Sequence, residues 1–417
     1  MVEPTFPIRV MVLRVDGVAR GAAVVAAVVC VACSGAAVSP RAAPTSSAIT
    51  SSASSSSPSL APTPIGPNKT RTSAGPSGPV RPASASFVSA SDGWVLGSRD
   101  CGRLQCVRLL RTTDGGRSWR LLPNPPFPLP QRFDVTPGQS ASTIRFATAR
   151  VGWAFGPALW VTRDGGLTWR RDTTFGSRSD QAVNQIRALE TAAGRVWAVV
   201  HFGEGNGCTA LEQASVASGR WTPVKGVGGC GAGLGEVSLS LAGNRGWLMF
   251  ETAGWFYYRL TPAGWRSRQM PCQQSSTSPD DPVHAGVAGS SDGLVAIECA
   301  GTGAAGQSRK RIYVSQDGGQ KFSQTQPPQM SAGDDVLLAL AGTRIITATW
   351  SAASWIVTRD HNGKTRTALQ ANDGGAGWRD LGLTTPQQGF VIDGASPPGL
   401  AIYMTNDGGN TWSKVRV

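Results

Sequence analysis

Beyond residue 83, hydrophobic positions fall in short runs, each opened by a glycine followed by an aromatic or aliphatic residue. Clear copies are Gly93-Trp94-Val95-Leu96, Gly152-Trp153-Ala154-Phe155, Gly246-Trp247-Leu248-Met249, Gly293-Leu294-Val295-Ala296 and Gly389-Phe390-Val391-Ile392. Weaker copies start at Gly194 and Gly342, which makes seven. From Gly93 to Gly389 is 296 residues in six steps, so the period is about 49 residues, within the span of a four-stranded propeller blade. A second apolar strand follows each run and ends in Ser/Thr-x-Asp-Gly-Gly-x-x-aromatic. Intact copies are centred on Asp114, Gly116 and Trp119; Asp164, Gly166 and Trp169; Asp317, Gly319 and Phe322; and Asp407, Gly409 and Trp412. Asn372-Asp373-Gly374-Gly375 with Trp378 reads as a decayed copy and Asp360-His361-Asn362-Gly363 as a weaker turn. Blades three and four keep only the closing Trp221 and Trp265.

Each repeat therefore predicts four strands. In blade two they fall at residues 143–148, 152–156, 159–162 and 168–171. The predicted fold is all-β, a seven-bladed β-propeller of four-stranded antiparallel blades over residues 83–417. Its phase starts at an inner strand and ends with residues 411–417 as an outer strand. No strand is then exchanged between the chain ends, and closure rests on face-to-face packing, with residues 70–82 available to help.

The turn composition has a local cause. Two glycines supply the positive φ of a tight hairpin. The aspartate accepts backbone N–H bonds across the turn and the Ser/Thr hydroxyl adds another. The aspartates are accordingly expected to build turns rather than to act as acids or metal ligands. Trp94, Trp119, Trp153, Trp169, Trp247 and Trp412 are expected in the core. These residues resemble the Asp-box, or bacterial neuraminidase repeat, and more fully the glycine-tryptophan plus Asp-box repeat of the photosystem II assembly-factor family of propellers. The resemblance covers residues 83–417 and implies the fold. It does not choose a function, because sialidases, sortilin-type receptors, cellulases and assembly factors all carry the box.

Upstream, Arg9, Arg14 and Arg20 precede the apolar or glycine stretch 21–32, which is 12 residues long. A membrane span needs about 20, so residues 1–33 read as a signal peptide. It ends in Val31-Ala32-Cys33-Ser34-Gly35, which resembles a bacterial lipobox, although Cys30 stands where leucine is usual. Cys33 is the expected lipidation site, ordinary cleavage nearby being the alternative. Residues 34–82 are rich in Ser, Pro, Ala and Thr without apolar periodicity, the composition of a disordered linker. Its coil span would be on the order of 40 Å.

The net charge is +13, carried mostly by arginine. A high-G+C genome that writes arginine where others write lysine accounts for it, with attraction to an anionic surface as the alternative; no basic run with interleaved aromatics suggests nucleic acid. Six further cysteines allow 15 pairings. Successive cysteines share a blade or a junction, which predicts Cys101–Cys106, Cys208–Cys230 and Cys272–Cys299. Paired C-x-x-C spacing is absent, so no metal is expected, and no cofactor either.

An enzyme of the sialidase type would need a tyrosine nucleophile with an acidic partner. Tyr257, Tyr258, Tyr313 and Tyr403 all fall in third strands, away from a central channel. Among the glutamates Glu251 and Glu298 are the two worth testing; His201, Glu204 and Cys208 make a poor metal set. The expected function is therefore non-enzymatic: a binding or scaffold propeller on the outer face of the cell membrane, or secreted. Its partner is expected to be a membrane or wall protein, or a glycan, and the propeller a monomer. Arg103, Arg108, Arg145 and Arg163 belong to the densest basic group and form a weak candidate surface. The alternative is a sialidase-like glycoside hydrolase or carbohydrate-binding propeller.

Overall fold

The computed structural model describes residues 79–417, apart from 102–103, 131–138, 174–182, 204–206, 232–234, 253, 273–283, 302–309, 326–336, 351–352 and 395–400. The signal peptide 1–33 with Cys33, and linker residues 34–78, lie outside the described residues. No described helix is long and apolar enough to cross a membrane.

Seven four-stranded antiparallel sheets follow one another, each made of four consecutive strands. They occupy residues 81–121, 141–171, 183–230, 237–268, 284–325, 337–371 and 378–415. The glycine-led runs are the second strands, such as Gly93–Cys101 and Gly152–Pro157. First strands touch first strands from blade to blade, and the inner strand of blade seven (Trp378–Leu383) touches that of blade one (Arg81–Phe87). These seven inner strands thus ring a common axis. The first begins at Arg81, two residues before the expected boundary.

Inner strands are fastened by side chains that reach the next blade's backbone. Ser84 Oγ accepts from Ile144 N–H at 3.2 Å and Ser86 Oγ from Phe146 N–H at 2.8 Å. Ser238 and Ser240 do the same for Val287 and Gly289, both at 3.0 Å. At the closing seam Asp380 Oδ2 accepts from Ser84 Oγ at 2.9 Å and from Ala85 N–H at 3.1 Å. Val80 N–H also donates to Val417 C=O at 3.2 Å. Among the described residues the first and last blades meet without exchanging a strand, and Val80, just ahead of the first strand, takes part in closure.

Each intact Asp-Gly-Gly turn joins a third strand to an outer one. Its first glycine donates to the turn between first and second strands of its own blade: Gly115 to Ser91, Gly165 to Arg150, Gly318 to Gly293 and Gly408 to Gln387, at 2.7–2.9 Å. The aspartate binds inside the turn. Asp164 Oδ1 accepts from Thr162 Oγ1 at 2.8 Å and Thr168 N–H at 2.9 Å; Asp114, Asp317 and Asp407 repeat the pattern.

Three expectations need correction. The Asn372–Gly375 copy is not a turn between third and outer strands; it lies between the outer strand of blade six (Thr365–Ala371) and the inner strand of blade seven. The corresponding turn of blade six is Asp360–Gly363. The same local chemistry serves a different reversal: Gly374, Gly375 and Gly377 have positive φ, and Asp373 accepts from Ser354 Oγ at 2.6 Å. Trp94, Trp153 and Trp247 are fully buried, but the closing Trp119, Trp169 and Trp412 are only half-buried, because they pack beneath turns at the molecule's edge. Outer strands are also shorter than expected, Arg170–Arg171 in blade two and Ser413–Val415 in blade seven.

Candidate functional site

The axis carries the densest group of buried ionisable side chains, all on inner strands or their ends. Arg145, on the inner strand of blade two (Ala141–Phe146), donates through Nε to Glu190 of blade three at 2.7 Å. Its Nη1 lies 3.9 Å from Asp380 of blade seven. One guanidinium thus links blades seven, two and three. Burial works against the Arg145 charge, but Glu190 and Asp380 outweigh it. Burial pushes the Asp380 carboxyl up to about 7, with Arg145, Ala85 N–H and Ser84 opposing.

A second cluster sits nearer the end where inner strands begin. Arg187, in the inner strand of blade three (Val183–Ala192), donates to Gly235 C=O at 2.8 Å and Gln185 Oε1 at 3.1 Å. Burial lowers it to about 10, with Glu236 opposing. Glu236 Oε1 pairs with His284 Nδ1 at 2.7 Å and its Oε2 accepts from Ala285 N–H at 3.2 Å. His201, on the neighbouring second strand, is buried and its pKa lowered by that burial and by Arg187. Arg145, Arg187 and His284, set against Glu190, Asp380 and Glu236, thus make the axis a polar core inside an apolar ring.

The three predicted disulfides are all present. They stand at that same end of the strands. Cys101 closes the second strand of blade one and Cys106 lies in the third. Cys208 opens the third strand of blade three and Cys230 closes its outer strand. Cys299 is near the end of the second strand of blade five (Val295–Ala300) and bonds Cys272, which follows blade four. They brace the end from which the connections between second and third strands emerge.

The candidate arginines are not brought together. Arg145 is on the axis. Arg108 is buried on the third strand of blade one, donating to Asn124 Oδ1 at 3.0 Å. Arg163 sits in a turn at the opposite end and donates to Val216 and Ala217 carbonyls of blade three at 3.2 and 3.1 Å. Arg103 lies outside the described residues. Two of the four therefore tie blades to one another.

The candidate catalytic groups are similarly placed. Tyr257 and Tyr258 are buried on the third strand of blade four; their hydroxyls donate to Gly319 and Gly228 carbonyls at 3.3 and 3.4 Å. Burial pushes the Tyr257 phenol well up. Tyr313 and Tyr403 also lie on third strands. Glu298 is fully buried, 3.2 Å from Lys310 Nζ. Glu251 ends the second strand of blade four, half-buried, with its N–H donating to Glu236 C=O at 2.9 Å. Among the described residues no cluster of His, Cys, Asp and Glu is arranged to hold a metal; Glu204 lies outside them.

The axial clusters were not anticipated as a unit. Their signal is a charge inside an otherwise apolar inner strand, as in Ser142-Thr143-Ile144-Arg145-Phe146 and Gln185-Ile186-Arg187-Ala188-Leu189; an inner strand is covered on both faces, so the charge is buried whichever face it takes.

No family model matches the chain, and no curated protein matches it. Solved structures do. One described as "YCF48 bound to D1 peptide" is 17% identical, covers 78% of this chain and 93% of its own, and has a TM-score of 0.50. The β-propeller domain of the Trilobed protease from Pyrococcus furiosus is 6% identical over 81% of this chain and 98% of its own, TM-score 0.51. The chain is a seven-bladed β-propeller. A third similar structure, the polysaccharide lyase Uly1, is 11% identical over 79% of this propeller chain and 90% of its own, TM-score 0.50. At such identities the likeness concerns the fold alone, which these differently named proteins share.

Proposed function

We propose that this propeller is a non-enzymatic extracytoplasmic binding or scaffold module, of the Asp-box type, tethered through a lipidated Cys33. It presents the end braced by its three disulfides to a membrane or wall protein. The observation that carries this reading is the commitment of the turn aspartates, the tyrosines and Glu298 to the frame. The turn aspartates bind within their own turns, the tyrosines lie in the flanks of blades, and Glu298 pairs with Lys310. What remains is a ring of blades whose disulfide-braced end carries buried charged side chains beneath it. Disulfides favour an exported setting, the basic balance favours an anionic partner surface, and one similar structure holds a peptide.

Crosslinking of the tagged protein in its native cells, followed by mass spectrometry of captured material, tests the reading, with Cys33→Ala as control. A single enriched membrane or wall protein, lost in the control, is the expected result. Capture of glycan or wall polymer without an enriched protein overturns it and points to carbohydrate binding. Turnover of a glycoside by the wild type, lost in Glu251→Gln, overturns the non-enzymatic part.

A further inference from the structure

Four of the seven seams between blades share one construction. The second glycine of an Asp-Gly-Gly turn sits against the preceding blade so closely that a Cβ would collide. Gly166 would meet Leu109 at 2.7 Å and Gly409 would meet Ile346 at 2.6 Å. Gly116 and Gly319 stand as close to Met404 and Tyr257. In three of these seams the receiving blade presents a large apolar residue of the second strand with an arginine two positions earlier or on the paired third strand; blade seven presents Phe390 with Gln388 instead. Trp94 Nε1 donates to Gly165 C=O at 2.9 Å and Trp247 Nε1 to Gly318 C=O at 3.0 Å. Arg344, two residues before Ile346, donates to Gly408 C=O at 2.7 Å.

Blade three has the same receiving side: Trp197, with Arg195 two positions earlier. Blade four supplies no Asp-Gly-Gly turn to fill it. Its third and outer strands are joined by a tight reversal at Pro262 and Ala263, between Trp255–Thr261 and Gly264–Arg268. What stands there is a groove of about 510 Å³ lined by Arg195, Trp197, Lys225, Asn244, Trp265 and Arg266 among others, with no Asp or Glu in its lining. Trp197 and Trp265 are 4% and 8% exposed, and neither indole N–H meets an acceptor among the described residues. A buried donor left without an acceptor is disfavoured, and three cations without a nearby acid in the lining favour an anionic visitor.

We propose that this groove is a docking site for an acidic, glycine-containing turn of a partner protein, which takes the seat that an Asp-Gly-Gly turn takes at the other seams. A backbone carbonyl of the visiting turn accepts from Trp197 Nε1, as Gly165 and Gly318 do elsewhere. Its carboxylate meets Arg195, Lys225 and Arg266. Glycine is required where the turn approaches Trp197, because side chains at the equivalent positions of the intact seams would collide. The site lies at the end opposite the disulfides, so it adds a second contact surface to the one proposed above.

The probe is a disulfide-cyclised peptide carrying residues 405–413 of this chain, Thr-Asn-Asp-Gly-Gly-Asn-Thr-Trp-Ser, titrated calorimetrically into the mature full-length protein. Saturable binding is expected, at least tenfold weaker in the Arg195→Gln/Lys225→Gln double variant and lost when both probe glycines are alanine. Both substituted side chains are exposed, and an unchanged melting temperature verifies the fold. A second variant has residues 261–264 replaced by an Asp-Gly-Gly turn; it should melt higher than wild type and bind no peptide. Absence of peptide binding to the wild type, or equal binding by the double variant, overturns the proposal. So does binding of polygalacturonate in place of the peptide, which would assign the groove to an anionic glycan.

Discussion

Gly166 and Gly194 both have positive φ, +94° and +72°, yet they do different work. A Cβ on Gly194 would meet nothing within 4 Å, whereas one on Gly166 would lie 2.7 Å from Leu109 Cδ2 and 3.3 Å from Leu122 Cδ1. Gly194→Ala should therefore lose only the left-handed backbone term, about 1 kcal/mol. Gly166→Ala adds overpacking in a filled seam, typically about 1–3 kcal/mol more. Chemical denaturation of the two variants checks this; equal losses would mean that the turn glycines serve backbone geometry alone. The glycine pattern was legible in the sequence because a hairpin's φ requirement is local. Its second cause was not, since Trp94 and Gly165 lie 71 residues apart and meet only when blades stack.

At the scale of strands and seams, the distinguishing element is the joint between blades seven and one. Asp380 holds Ser84 and Ala85 while buried, and its folded pKa of about 7 lies above its ordinary 3.8. An acid raised on folding binds its proton more tightly in the native state, so stability falls as pH climbs from about 4 to about 7. Glu190 is raised in the same direction, by burial, with Arg145 opposing. The turn aspartates behave oppositely. Hydrogen bonds from Ser315 and from the Lys321 and Gln320 N–H groups bring Asp317 down to about 2. Its stabilisation is present above pH 3.8 and disappears only as pH falls towards 2, outside the Asp380 window. His201, lowered by burial, contributes the opposite slope in this range, so the Asp380 share is read as a difference: in urea unfolding between pH 4.5 and 7.5 the stability of the wild type should fall with rising pH relative to that of Asp380→Asn. An unchanged slope would remove Asp380 from the account. The sequence did not announce this joint. Ser84 and Asp380 are 296 residues apart, and Asp380 belongs to none of the repeated motifs. Nor did it separate the Asp373 turn from the true third-to-outer turns, because identical residues reverse the chain equally well in either place.

For the whole molecule, phase decides how stability is shared. Among the described residues every sheet is made from consecutive strands, so no exchanged strand latches the ring, and the last seam is held by the Asp380 contacts to Ser84 and Ala85 and by one backbone bond from Val80 to Val417. In an open repeat array each unit contacts only its neighbours, and removing a terminal unit subtracts roughly its own share. A ring differs, because removing one blade exposes two faces and misses two seams. Here it would also strip Asp380 from Arg145 and Ser84, leaving the Arg145–Glu190 pair without its third member. A chain ending at Ala371, lacking blade seven, should accordingly lose more than one blade's share. We expect a broad, low-temperature transition by circular dichroism and hydrogen-exchange protection reduced in blades one and six first. A truncated protein that kept a sharp transition near that of the full chain would mean that each seam is self-sufficient and that ring closure contributes little.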